Sequence, residues 1–136
     1  FYTPHLARKV GTESLDFSQK KNIDIDKIHF ETVLDGMQAL VSVPGSRAYI
    51  PDLIFCGKTS TVENPQGVDH SGFMGFAPRE NPKIAIAVYV ENAGWGARAA
   101  LSTASLIIEK HINGSVKKKW LENYVLKGDF EDAKPE

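Results

Sequence analysis

The chain has 136 residues, 42% hydrophobic and 24% charged, with a formal net charge of −1. This composition fits one globular domain, long enough to bury roughly two thirds of its unfolded surface. The balanced charge excludes nucleic acid or an anionic membrane surface as a general partner, since both demand a basic excess.

The basic run Lys117-Lys118-Lys119 stands before Trp120 at helical spacing and reads as a solvated face. One cysteine allows neither an internal disulfide nor a cysteine-based metal site, so no metal and no cofactor is expected. No apolar run approaches the ~20 residues that cross a bilayer. The opening at Phe1 reads as mid-domain sequence, so a longer protein, with any targeting segment upstream, is expected.

In chain order, Pro4 argues against a helix at the start, and His5 to Val10 reads as an edge strand followed by a polar loop or weak hairpin. From Lys27 to Ser42 the residues Phe30, Val33, Leu34, Met37, Leu40 and Val41 keep i, i+3, i+4, i+7 spacing, which predicts a helix with Asp24 or Asp26 as its N-cap. Pro44-Gly45 stops it. Gly72 to Ala77 and Lys83 to Glu91 read as strands. In the second, both faces are apolar, which predicts a central position covered on both sides. The connections are too short for crossover helices, so the strands form an antiparallel meander.

A helix is expected from Ala97 to about Ile112, with Ala97, Ala100, Leu101, Ala104, Ile107, Ile108 and His111 on its inner face and Asn113-Gly114 as its stop. A short amphipathic helix over Ser115 to Leu126 and a disordered tail from 127 to 136 follow. The fold class is therefore α+β, an antiparallel sheet of three or more strands with helices packed on it.

The stretch that carries chemistry is Cys56-Gly57-Lys58-Thr59-Ser60-Thr61. An apolar run, Leu53 to Cys56, reads as a strand that opens into a glycine, a lysine and three hydroxyl residues, the residue types of a site for a carboxylate or phosphate. Thr59 and Thr61 share one face by strand parity, and Lys58 falls on the other. Asp69-His70 has no third ligand at useful spacing and reads as a loop-holding pair. Cys56 reads as a small buried hydrophobe.

Lys58-Thr59-Ser60 resembles the Lys-Thr-Gly box of penicillin-recognising transpeptidases and serine β-lactamases. Asp69-His70-Ser71-Gly72-Phe73-Met74-Gly75-Phe76-Ala77-Pro78 is similar to the D-H-x-W-F-x-G-F-A-P stretch of class B penicillin-binding proteins of the cell-elongation type. Asn81 to Val88, Glu91-Asn92, Gly96 to Ala100 and Tyr2-Thr3-Pro4-His5 continue the likeness, which covers about residues 1 to 112. Three positions depart from it: Ser60 stands where the family has Gly, Gly72 where it has Trp, and Leu101 where it has Pro.

The resemblance implies a D,D-transpeptidase that cross-links D-Ala-D-Ala stem peptides through an acyl-enzyme and is the target of β-lactams. It assigns Lys58 to the proton relay, the backbone N–H of Thr61 to the oxyanion hole, and Thr59, Ser60 and Thr61 to substrate binding. It further implies as partners the remainder of the same domain and a membrane glycan polymerase, at the periplasmic face of the inner membrane with an upstream anchor.

The family's Ser-x-x-Lys nucleophile motif has no usable match. Ser18 with Lys21 and Ser115 with Lys118 have the spacing but sit in polar surroundings without an apolar helix beyond, so the chain alone is expected to be inactive and to self-associate through uncovered apolar surface. A β-lactamase or β-lactam sensor of the same fold, and a non-catalytic binding module, are the alternative functions.

Overall fold

The computed structural model describes residues 1–130. The chain divides into two compact units, Phe1–Glu31 and Thr32–Glu136. In the first, strands β1 (Lys9–Val10) and β2 (Glu13–Ser14) form a minimal antiparallel hairpin. Tyr2 bridges to Lys20, and the His5 ring stacks on Phe17 at 4.0 Å between centroids. The strand expected from His5 shrinks to two exposed residues because Arg8 and Lys9 offer it no apolar face to bury.

Helix α1 (Lys27–Val41) matches its expected span. Its stripe is only partly covered: Val41 is buried, Leu34, Met37 and Leu40 are half-buried, and Phe30 and Val33 are exposed.

The second unit is built on β3 (Cys56–Val62), β4 (His70–Ala77) and β5 (Ile84–Val90), paired antiparallel in the order β3-β4-β5. Two expectations change here. The apolar run Leu53 to Phe55 precedes the strand instead of forming it, with Phe55 in the core, so the glycine, lysine and hydroxyl residues lie within β3 itself. Central position falls to β4, not to the more apolar β5. In β5 the residues Ile84, Ile86, Val88 and Val90 are half-buried against the core, whereas Ala85, Ala87 and Tyr89 face outward and are exposed. Small residues keep the outer face of β5 apolar without needing cover, which is why the pattern misleads.

Helix α2 (Ala99–Asn113) packs on β4 and β5. Ala100, Leu101, Ala104 and Ile108 meet Phe73, Ala77 and Phe55 in one core. Its inner face is rotated from the expected one: Ile107 and His111 are exposed, and Ser102, Ser105 and Glu109 are buried. The rotation reflects what covers the far side, helix α3 (Lys119–Lys127), which contacts α2 and buries Leu121. Gly114 closes α2 in the left-handed conformation at φ 73°. α3 begins four residues later than expected. Of the anticipated tail, Lys127 ends α3 and the Phe130 ring packs edge-on against Tyr124. Residues 131–136 lie outside the described residues.

Candidate active-site strand

β3 is the edge of the sheet, so one side of its backbone has no strand partner among the described residues. Cross-strand pairing sets Ser60 against Gly72, Thr59 against Phe73 and Thr61 against Ser71. Phe73 belongs to the core under α2, so Thr59 and Thr61 project on the helix side, and Lys58 and Ser60 project on the open side with Met74 and Tyr89. The sequence-level division of faces holds. Lys58 Nζ donates to the carbonyl of Thr59 at 2.7 Å. Thr61 Oγ1 accepts from the Gly96 N–H at 3.2 Å, which leaves its hydroxyl hydrogen available to an acceptor.

Two residues outside the motif hold the strand in place. Gly96 lies flat under β3 and β4: a Cβ there would run into the backbone oxygens of Ser60 and Gly72. Only glycine allows the loop before α2 to approach so closely and still bond Thr61. Ser71 is fully buried on β4, and its hydroxyl donates to the Trp95 carbonyl and accepts the Ala100 N–H, each at 3.0 Å. Arg98, the residue before α2, makes no side-chain cap. Ser71 therefore supplies from the neighbouring strand what an N-cap side chain supplies locally. Neither role is visible in the sequence, because both depend on a contact across elements.

Two of the departures noted above prove to be neighbours. Ser60 and Gly72 face each other directly, and a Cβ at position 72 would meet the Ser60 hydroxyl. A side chain gained on β3 is matched by one lost on β4.

The Asp69–His70 pair behaves as a structural clamp. Asp69 Oδ1 accepts the Asn64 N–H at 3.1 Å, and His70 Nδ1 accepts the Asn92 N–H at 2.9 Å. Cys56 is fully buried, its thiol directed at the Leu34 carbonyl at 3.6 Å. Burial pushes its pKa up, away from the reactive thiolate. Among the described residues no cluster of three or more His, Cys, Asp or Glu is placed to hold a metal.

Among the described residues one serine–lysine side-chain bond is present, from Lys118 Nζ to Ser105 Oγ at 2.8 Å. Burial lowers the Lys118 pKa to about 8, opposed by the charge of Glu109. Ser105 is fully buried, however, and gives its proton to the Arg47 carbonyl at 2.9 Å, so no substrate reaches it. Lys118, one half of the Ser115 spacing match, is thus committed elsewhere, and the ammonium of Lys21 lies over the Phe1 ring instead.

Residues 1–112 match the profile of the penicillin-binding protein transpeptidase domain. The chain belongs to that family. Peptidoglycan D,D-transpeptidase MrdA of Haemophilus influenzae is 38% identical over 45 residues, covering 33% of this chain and 7% of MrdA.

The crystal structure of Pseudomonas aeruginosa PBP2 in complex with WCK 5153 is similar with a TM-score of 0.65 at 25% identity, over 88% of this chain and 28% of that one. The D,D-transpeptidase domain of a peptidoglycan glycosyltransferase from Eggerthella lenta aligns with a TM-score of 0.57 at 27% identity, over 76% and 24%. The likeness is to class B penicillin-binding proteins, and the α+β sheet with its packed helices is the fold of this part of their transpeptidase domain. The chain spans less than a third of each relative.

Proposed function

We propose that this chain forms the strand wall of a D,D-transpeptidase site, in a longer protein whose nucleophilic serine lies outside residues 1–136. In that protein the serine oxygen attacks the carbonyl carbon between two D-alanines of a stem peptide. The terminal D-alanine leaves with a proton, and a second strand's amine resolves the acyl-serine into a cross-link. β-Lactams offer the same carboxylate and strained carbonyl, and leave the serine acylated.

The observation that carries this reading is the position of Lys58-Thr59-Ser60-Thr61 on an edge strand, where backbone donors have no strand partner. The Thr59 carbonyl accepts from the Lys58 side chain, as a carbonyl turned to the unpaired edge can, and in an extended strand residues two apart turn their N–H and C=O groups the same way. This supports Thr61 N–H as the oxyanion donor, an interaction worth about 3–4 kcal/mol in acyl transfer. The hydroxyls of Thr59 and Thr61 take the substrate carboxylate, with Ser60 at the rim. Lys58 acts in the proton relay with residues supplied by the remainder of the domain.

The likeness to MrdA supports a protein anchored to the inner membrane and facing the periplasm; a membrane glycan polymerase as its partner rests on the sequence resemblance alone. Among the described residues no helix is long and apolar enough to cross a membrane.

The test compares Thr61→Pro with Thr61→Val in the full-length protein. Both lose the hydroxyl that accepts the Gly96 N–H, and only proline, which an edge strand tolerates, also loses the backbone N–H. Acylation by benzylpenicillin should be roughly 10²- to 10³-fold slower in Thr61→Pro than in Thr61→Val, at similar melting temperatures. Equal acylation rates in the two variants would remove the Thr61 N–H from the oxyanion hole.

A further inference from the structure

On the helix side of β3 a cleft of about 470 Å³, open to solvent, is lined by Ser46, Arg47, Thr59, Leu101 and Trp120, among others. Its volume falls within the roughly 300–1,000 Å³ range of small-molecule sites. Two features set it apart from a packing defect.

The first is Arg47. Its guanidinium lies over the Tyr124 ring at 4.8 Å, its Nε is buried with no hydrogen-bond partner, and no carboxylate pairs with it among the described residues. No acid lines the cleft. A partly buried guanidinium without an anion is costly, and its planar fork fits a carboxylate in a bidentate manner. Two hydroxyls stand in the same lining, Thr59 and Ser46. The Ser46 oxygen accepts the Tyr49 N–H at 3.2 Å, and its hydrogen remains to be donated.

The second is Trp120. It comes from α3, beyond the residues the family profile matches, and it lines the cleft together with Leu40 and Leu101. The lining thus combines one basic residue, two hydroxyl residues and apolar side chains.

We propose that this cleft is a binding site for an organic carboxylate carrying an apolar or aromatic arm, anchored by Arg47 with Ser46 and Thr59 and bordered by Trp120. It stands apart from the acyl-transfer reading, although Thr59 borders both sites. A C-terminal helix outside the family's span would then shape what can approach the motif strand from below.

The test is an NMR titration of the ¹⁵N-labelled 136-residue chain with phenylacetate and with phenylacetamide, which share a shape and differ in charge. Phenylacetate should shift the Thr59 and Arg47 amides and the Trp120 indole N–H saturably, with phenylacetamide at least tenfold weaker. Arg47→Met should weaken phenylacetate at least tenfold, and Arg47→Lys should retain part of the affinity. Trp120→Ala, at a half-exposed side chain, should weaken both ligands and keeps the test open if the Arg47 variants do not fold.

Equal shifts from acid and amide, shifts confined to other residues, or unchanged affinity in a folded Arg47→Met variant would each overturn the proposal. Binding here without penicillin labelling of the longer protein would keep this site and reject the transpeptidase reading.

Discussion

Ser71 ties the start of α2 to the loop before it. With the hydroxyl gone, the Ala100 N–H loses its bond to a buried serine, while the Trp95 carbonyl keeps the Arg98 N–H at 2.9 Å. Ser71→Ala should therefore cost about 1–3 kcal/mol in urea unfolding, and the Ala100 amide should lose hydrogen-exchange protection. A variant as stable as the parent would mean that water or a shifted loop satisfies the Ala100 N–H.

Gly72 offers a second test at this scale. Gly72→Ala forces the Ser60 hydroxyl into another rotamer and should destabilise by about 1 kcal/mol. In a Ser60→Gly background the same change should be nearly neutral. Additive effects in this double-mutant cycle would show that the two positions are not coupled.

Among the elements, the junction of α2 and α3 is where charge is buried. Lys118 Nζ donates to Ser105 Oγ and to the Arg47 carbonyl. Glu109 is fully buried, one oxygen accepting the Lys117 N–H and the other without a partner. Because burial lowers the folded pKa of Lys118 to about 8 from the ordinary 10.5, the unfolded chain binds more protons between those values. Stability from this group therefore rises with pH across the window from about 8 to 10.5, and is at its lowest below it. Lys118→Met should flatten that rise in denaturant midpoints. An equal rise in both proteins would assign it to other groups.

This junction was also the least legible part of the sequence. Periodicity located α1, α2, β4 and β5 within a few residues, since each has an unbroken apolar stripe. It missed the rotation of α2 because Ser102, Ser105 and Glu109 look like surface residues until the fold buries them, with Arg47 and Lys118 bonded to Ser105 and Lys117 to Glu109. It put β5 at the centre because alanines are apolar without demanding burial. The motif on β3 was legible as chemistry, and its edge position was not, since strand order depends on pairing rather than on any local signal. Arg47 gave no sign of lacking a partner, because that is a property of what surrounds it.

For the whole molecule, the described residues leave the outer face of the sheet uncovered. Met74 is 61% exposed and Tyr89 56%, with Ala85 and Ala87 exposed beside them. Such a patch favours association, and the remainder of the transpeptidase domain is its proposed natural cover. Sedimentation of the 136-residue chain should show concentration-dependent self-association, which Met74→Lys together with Tyr89→Lys reduces. A monomer at all concentrations would speak against an uncovered interface.

The central claim is that β3 is one wall of a site whose nucleophile lies elsewhere in a longer protein. Labelling with a fluorescent penicillin, on the 136-residue chain and the full-length protein side by side, tests it most directly. The expected result is that the full-length protein is acylated at a serine outside residues 1–136 and the chain alone remains unlabelled. Covalent labelling of a serine within the chain, or no labelling of the full-length protein, would contradict it.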